Sequence, residues 1–306
     1  MQTSIPGNDV EPVPAKRRAP GPFEDHLGRV HVWPALPLYA GIIIGLVVVF
    51  DPRLIPMPSE WGSIVATVIA SIVLLVWWFR VVRPRGVPAR DMLGPRLNAR
   101  GWVLALGLAL ADLISKLALI VVIVALHGEP LGVLTPRSSP VALTTLGIMP
   151  LLATLFCDVI LTPVVEEVLF RGTLFRKWRL RWGAGKAALA SSVVFGLLHQ
   201  DAIGATATGL LYVTVYTRSR TLWSCIAIHV LNNGIAKLGR IDGALEQMKS
   251  LAESLSTGPA AIALGLVGAV TTVCLALYIR SGWRTLDDPL PPTPLPAGVA
   301  LAPSTP

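Results

Sequence analysis

The chain has 306 residues, of which 53% are hydrophobic and only 14% are charged, and its formal net charge is +8 at pH 7. A soluble domain normally carries about 25% charged residues, so this composition excludes an ordinary soluble globular protein. The positive charge could indicate binding to nucleic acid, but the Lys and Arg residues flank long apolar runs, so we expect a membrane protein with no nucleic-acid partner.

Apolar runs predict about eight transmembrane helices, because a helix needs about 20 mainly apolar residues to cross the hydrocarbon core. In chain order, the predicted spans are 34–50, 61–82, 101–126, 141–170, 186–200, 202–217, 221–237 and 259–280. The expected fold is therefore all-α, a polytopic membrane protein with one membrane domain over residues 34–284. We also expect a short surface helix within 240–258.

Two Pro-rich segments flank the predicted membrane domain. Residues 1–33 have the composition of a disordered basic tail, with an amphipathic stretch near the sequence FEDHLGRVHVW. Residues 285–306 are rich in Pro and are predicted to be disordered as well.

The distribution of Lys and Arg predicts the orientation of the chain in the membrane. The segments after the second, fourth, sixth and eighth predicted spans are rich in Lys and Arg, whereas the opposite segments contain many Asp and Glu residues. Because cytoplasmic loops carry the excess of positive charge, we expect both termini in the cytoplasm. The expected location is a bacterial inner (plasma) membrane.

Ionisable side chains at membrane depth are costly, so each one requires a partner or a function. Asp112 and Lys116 lie four residues apart on the third predicted span and are expected to pair. Asp158, about two turns before Glu166 on the fourth span, has no partner that the sequence identifies. Pro163, which removes a backbone donor, is expected to loosen the helix just upstream.

Glu166 and Glu167 are adjacent on one helix, so their side chains diverge by about 100°. Arg171 follows Glu167 by four residues, which predicts an ion pair between them. Glu167 is therefore expected to act mainly through Arg171. Glu166 is left on another face of the helix, directed into the bundle.

Glu166, His199 and His229 are predicted to lie at one depth in the membrane. Counted along their helices from the basic ends, they lie about 13–20 Å deep. Asn233 follows His229 by one turn on the same face, and its amide can donate to a developing oxyanion. A single histidine on an apolar face is usually a core residue, but a carboxylate, two imidazoles and an amide in one layer indicate chemistry. Asn232 is expected to point elsewhere, as a packing or capping residue.

Three short motifs in order carry a family resemblance: EEVLFR fits EExxxR, FGLLH fits FxxxH, and HVLNN fits HxxxN. With these motifs the chain resembles the CPBP family, intramembrane proteases related to the type II CAAX prenyl endopeptidase and to bacterial Abi proteins. The resemblance covers roughly 140–240, the expected catalytic core being about 141–240. It implies a helical membrane protein that encloses a membrane-embedded cavity open toward the cytoplasm.

The resemblance also implies a role for each matched residue. Glu166 and His199 would activate the attacking water, and His229 and Asn233 would form the oxyanion pocket. The supporting residues would be Glu167, Arg171 and Phe195. The implied partners are the lipid bilayer and a membrane-anchored protein or peptide substrate, with or without a lipid group.

The need for a metal stays open at this point. Glu166, His199 and His229 could form a three-ligand zinc site, although the HExxH motif is absent. We favour a metal-free reaction and expect no cofactor, because Asn233 is a poor zinc ligand but a good oxyanion donor. No Ser or Cys lies in a comparable arrangement, which argues against a covalent nucleophile.

Two other functions compete with a protease. An ion- or proton-coupled transporter could use Asp112, Lys116, Asp158 and Glu166 as its path, but it would predict repeat symmetry between the halves, which the sequence lacks. A non-catalytic scaffold or immunity protein would keep the helices without the chemistry. The intact set of Glu166, His199, His229 and Asn233 argues against that alternative.

Overall fold

The computed structural model describes residues 26–32, 37, 41, 59–87, 89–127, 152–153, 155–199, 201–238, 258–284 and 286. Within these ranges the ordered elements are all helices, which confirms the all-α fold. The predicted span 34–50 and the predicted surface helix within 240–258 lie outside the described residues, apart from isolated positions.

Eight helices carry the described structure. They are α1 (Ser59–Trp77, continued by a π-helix over Trp78–Val82 and a 3₁₀ turn over Arg83–Arg85), α2 (Ala89–Leu93), α3 (Ala99–His127), α4 (156–182), α5 (Ala184–Leu197), α6 (Ala202–Ser219), α7 (Leu222–Leu238) and α8 (Gly258–Trp283). Except for α4 and the short α2, they agree with predicted spans within a few residues. Among the described residues, three segments are long and apolar enough to cross a membrane: Thr67–Arg85, Ala99–Leu119 and Ile262–Trp283.

Helix α4 alternates between π- and α-helical geometry. A π-helix over Phe156–Leu161 leads into an α-helix over Thr162–Glu167, and a second π-helix over Val168–Phe175 leads into an α-helix over Arg176–Trp182. The first π-helix ends just before Pro163, as expected from the missing backbone donor. π-Helical turns are rare and frequently occur at functional sites.

The prediction that the fourth span ends at residue 170 and is followed by a basic loop is wrong. The helix continues to Trp182 because its apolar face continues: Phe175 and Trp178 are buried, and Arg176 is buried with them. The helix ends only at Gly183, whose φ of 82° favours glycine.

Small residues let α5 and α6 pack closely, as their composition predicts. A Cβ added to Gly209 of α6 would lie 2.9 Å from the Cβ of Ser192 on α5. In contrast, α8 presents a stripe of exposed apolar side chains, as expected of a helix that faces lipid: Ile262, Leu266, Val270, Val273 and Leu277.

Part of the predicted N-terminal disordered tail packs on the helical bundle. Leu27, Val30 and Val32 are fully buried, and the Lys177 ammonium of α4 donates to the carbonyl oxygens of Gly28 and Val30. The amphipathic stretch thus packs on the bundle because its apolar side chains have a surface to cover. Leu286 is buried too, whereas 1–25 and 287–306 lie outside the described residues.

Candidate active site

Glu166 and Glu167 lie on the α-helical turn of α4, between the two π-helical segments, and both are buried. Glu167 accepts a hydrogen bond from Arg171 Nη1 at 2.9 Å, which confirms the predicted ion pair. Arg171 is itself 1% exposed, and Nη2 donates to the carbonyl oxygen of Gly209 at 3.3 Å. The ion pair thereby joins α4 to α6.

Two imidazoles from distant parts of the chain lie close to Glu166. His199 Nε2 lies 3.8 Å from Glu166 Oε2, and His229 Nε2 lies 3.7 Å from the same oxygen. His199 follows the end of α5, whereas His229 lies on α7. The structure therefore brings together the three residues that the sequence placed in one layer. One third of the His199 side chain is exposed, against 8% for Glu166, so the opening of the cluster lies on the His199 side.

Hydrogen bonds at Nδ1 fix the tautomer of both imidazoles. His199 Nδ1 lies 2.7 Å from the carbonyl oxygen of Phe195, and His229 Nδ1 lies 2.9 Å from Glu167 Oε1. Carbonyl and carboxylate oxygens accept, so each Nδ1 carries a proton. In a neutral His199 ring, Nε2 then presents a lone pair toward Glu166, and the gap of 3.8 Å between these two acceptors suits a bridging donor such as water.

Aromatic rings enclose this cluster. The Phe195 ring lies 4.3 Å from the His199 ring and 5.8 Å from the His229 ring, measured between centroids. Arg171 also lies beside this ring, with its Cζ 4.4 Å from the Phe195 ring centroid. Tyr212 of α6 packs on His229 at 5.3 Å. Phe195 thus contacts both imidazoles and packs against the guanidinium of the buried ion pair.

Asn233 is held on the same side of α7 as His229. Its Nδ2 donates to the backbone carbonyl oxygen of Asp158 at 2.9 Å, within the first π-helical segment of α4. The Asp158 carboxylate, whose partner was not predicted, pairs with Lys237 Nζ at 2.5 Å. Lys237 is four residues after Asn233, so both contacts attach the same face of α7 to α4.

The prediction that Asn232 is a packing or capping residue is wrong, because its side chain bonds to residues on two other helices. Its Nδ2 donates to Asp112 Oδ2 at 2.8 Å and to the Tyr212 hydroxyl at 3.2 Å. The predicted pair of Asp112 and Lys116 is present, at 2.7 Å. The position of Asn232, beside Asn233 and at membrane depth, was the signal that could have identified it as part of a polar network.

The donor types of Glu166, His199 and His229 suit zinc. The described ranges, however, contain no group of three or more His, Cys, Asp or Glu side chains arranged for a metal ion. Two surface hollows of about 550 and 580 Å³ are lined by residues 274–284 of α8 and include none of the candidate site residues. The implied cavity at the site stays a prediction.

These features define a helical membrane protein in which a buried carboxylate faces two imidazoles. Residues 148–235 match the family described as "Type II CAAX prenyl endopeptidase Rce1-like", which confirms the resemblance over this segment. A protein of Bacillus subtilis (strain 168), "Putative membrane peptidase YdiL", is 30% identical over 101 residues, which is 32% of this chain. The chain covers 40% of that relative's length. No solved structure matches the chain.

Proposed function

We propose that the protein is an intramembrane endopeptidase. It hydrolyses a peptide bond near the membrane-anchored C-terminal part of a protein or peptide substrate. The observation that carries this proposal is the meeting of His199 Nε2 and His229 Nε2 at Glu166 Oε2, at 3.8 and 3.7 Å. The family match over the same helices supports it.

The attacking water binds between Glu166 and His199. Each acceptor receives one O–H bond of the water, so the oxygen lone pairs face the substrate carbonyl carbon. Glu166 takes one proton as the oxygen attacks, and a tetrahedral intermediate forms. The partial exposure of His199 supports entry of water and substrate on that side.

His229 and Asn233 stabilise the oxyanion of that intermediate. His229 donates from Nε2 when its ring carries protons on both nitrogens, and Glu167, bonded to Nδ1, stabilises this imidazolium. Asn233 uses one N–H bond on the Asp158 carbonyl and keeps a second for the oxyanion. One such donor typically contributes about 3–4 kcal/mol to transition-state stabilisation.

Collapse of the intermediate breaks the C–N bond. The leaving amine receives the proton that Glu166 took from water, and His199, 3.8 Å away, can relay it. The acid product keeps the water oxygen, and no covalent enzyme intermediate forms. Both protein groups return to their starting state.

The proposed substrates are proteins or peptides whose C-terminal segment is held at the membrane, with or without a lipid group. The family's printed description supports prenylated C-terminal segments as one class. The apolar face of α8 and the long apolar helices support a site reached within a bilayer. We further propose that both termini lie in the cytoplasm, at the end of the bundle that carries Lys177 and the basic turn Arg83–Arg85.

Cleavage by purified protein in detergent tests the proposal. Prenylated and unlipidated C-terminal peptides and membrane-anchored peptides are incubated with the wild-type chain and with the variant Glu166→Ala, and products are identified by mass spectrometry. We expect at least one substrate to be cut by the wild type and not by the variant. Equal cleavage by both proteins would contradict the proposed role of Glu166, and binding without cleavage by both would support a scaffold function instead.

A further inference from the structure

Asp112 connects three helices through one buried carboxylate. It lies on α3, outside the family-matched segment, and is 6% exposed. Besides Lys116, its carboxylate accepts from Asn232 Nδ2 of α7 at 2.8 Å and from Thr208 Oγ1 of α6 at 3.2 and 3.3 Å. A carboxylate at membrane depth with this many donors is held in a single position.

Asn232 links Asp112 to the immediate surroundings of His229. The Asn232 amide bonds both Asp112 and the Tyr212 hydroxyl, so both of its N–H bonds are used. The Tyr212 ring packs on the His229 ring, and the Arg171 guanidinium lies 5.0 Å from the Tyr212 ring centroid. Asp112 itself touches none of the proposed reacting groups.

The bonds to Asn232 set the rotation of α7 about its axis. Side chains on a helix turn together, so fixing Asn232 also fixes His229, three residues earlier, and Asn233, one residue later. An error of about 1 Å in the placement of a catalytic group can lower a rate by about a hundredfold. A small rotation of α7 would move both proposed oxyanion donors by such a distance.

We infer that Asp112 is a positioning residue, which holds the oxyanion donors of α7 in place through Asn232. This inference rests on the proposed endopeptidase function. It places part of the catalytic apparatus on α3, a helix that the family match does not include. Lys116, whose side chain is 38% exposed, neutralises Asp112 from the open end of the network.

A reciprocal exchange tests the inference. The variant Asn232→Asp puts two carboxylates in contact and is expected to lower kcat about 10- to 100-fold, with KM within about threefold of wild type. Adding Asp112→Asn restores a carboxylate–amide pair with the partners exchanged, and kcat is expected to recover to within about fivefold of wild type. The matched control Asp91→Asn makes the same carboxylate-to-amide exchange on α2, outside this network, and is expected to stay within about threefold of wild-type kcat.

The single variant Asp112→Asn is a second test, because it preserves the side-chain volume. We expect its kcat to fall about tenfold. The inference is overturned if either single variant keeps wild-type kcat, or if the exchanged pair shows no recovery. The variant Glu166→Gln tests the proposed function separately. If the wild-type activity does not depend on Glu166, the proposed function fails. If the activity depends on Glu166 but not on Asp112, only this inference fails.

Discussion

The carboxylate of Glu167 offers the sharpest test of how the site is built, because it has two partners. Its Oε1 accepts from Arg171 Nη1 and from His229 Nδ1, each at 2.9 Å. The sequence suggested that Glu167 acts mainly through Arg171, so that loss of either residue would have the same effect. The bond to His229 predicts that the two losses differ.

The variant Glu167→Gln keeps the side-chain volume and removes the charge. Breaking a buried ion pair by removing one partner typically costs about 3–5 kcal/mol. The Arg171 guanidinium keeps its hydrogen bond to Gly209 and its contact with the Phe195 ring. We therefore expect Glu167→Gln to lower the free energy of unfolding by about 3 kcal/mol, the lower end of this range. The uncharged Gln no longer stabilises the His229 imidazolium that donates to the oxyanion, so we expect kcat to fall by about 10²- to 10³-fold, as on loss of one oxyanion donor.

The comparison variant is Arg171→Met, which leaves the bond from His229 to Glu167 in place. We expect it to lose as much stability as Glu167→Gln, or more, but to lose far less activity per folded molecule. Peptide cleavage is normalised to the folded fraction from size-exclusion chromatography, and stability is measured by thermal unfolding in detergent. Equal losses of activity in the two variants would refute a direct role of Glu167 at His229.

Three further outcomes are expected. Gly172→Ala would put a Cβ 2.5 Å from Met92 Sδ and should cost about 1–3 kcal/mol in thermal unfolding, whereas Gly107→Ala, where nothing lies within 4 Å, should be neutral or slightly stabilising; equal effects would contradict the packing. Val30→Asp should lower the stability of the bundle because it places a charge at a fully buried position, and an unchanged unfolding temperature would show that the N-terminal segment does not pack there. A zinc chelator should leave peptide cleavage unchanged, and loss of activity that added zinc restores would establish a metal-dependent reaction.

The periodic and compositional signals were sufficient for the helices and for the layer of Glu166, His199 and His229. Apolar runs gave the helices, and counting along them from the basic ends gave a common depth. The i,i+4 pairs of Asp112 with Lys116 and of Glu167 with Arg171 also followed from spacing within one helix. Contacts of this kind depend on local geometry alone.

The partners that come from distant helices could not be predicted in the same way. Glu167 meets His229 62 residues away, and Asp158 meets Lys237 79 residues away. Such pairs depend on how the helices rotate against each other, which a single sequence does not specify. The end of α4 was predicted wrongly for a related reason. Arg176 lies in a cluster of basic residues that is typical of a loop, but tertiary packing buries it.

The central claim is that Glu166 and His199 act as one unit on a single water. Rates of peptide cleavage are therefore compared for Glu166→Gln, His199→Ala and the double variant. Residues that act together give losses that do not multiply, so we predict that the double variant is about as slow as either single variant. A double variant slower by the product of the two single losses would contradict the account, because the two residues would then contribute independently.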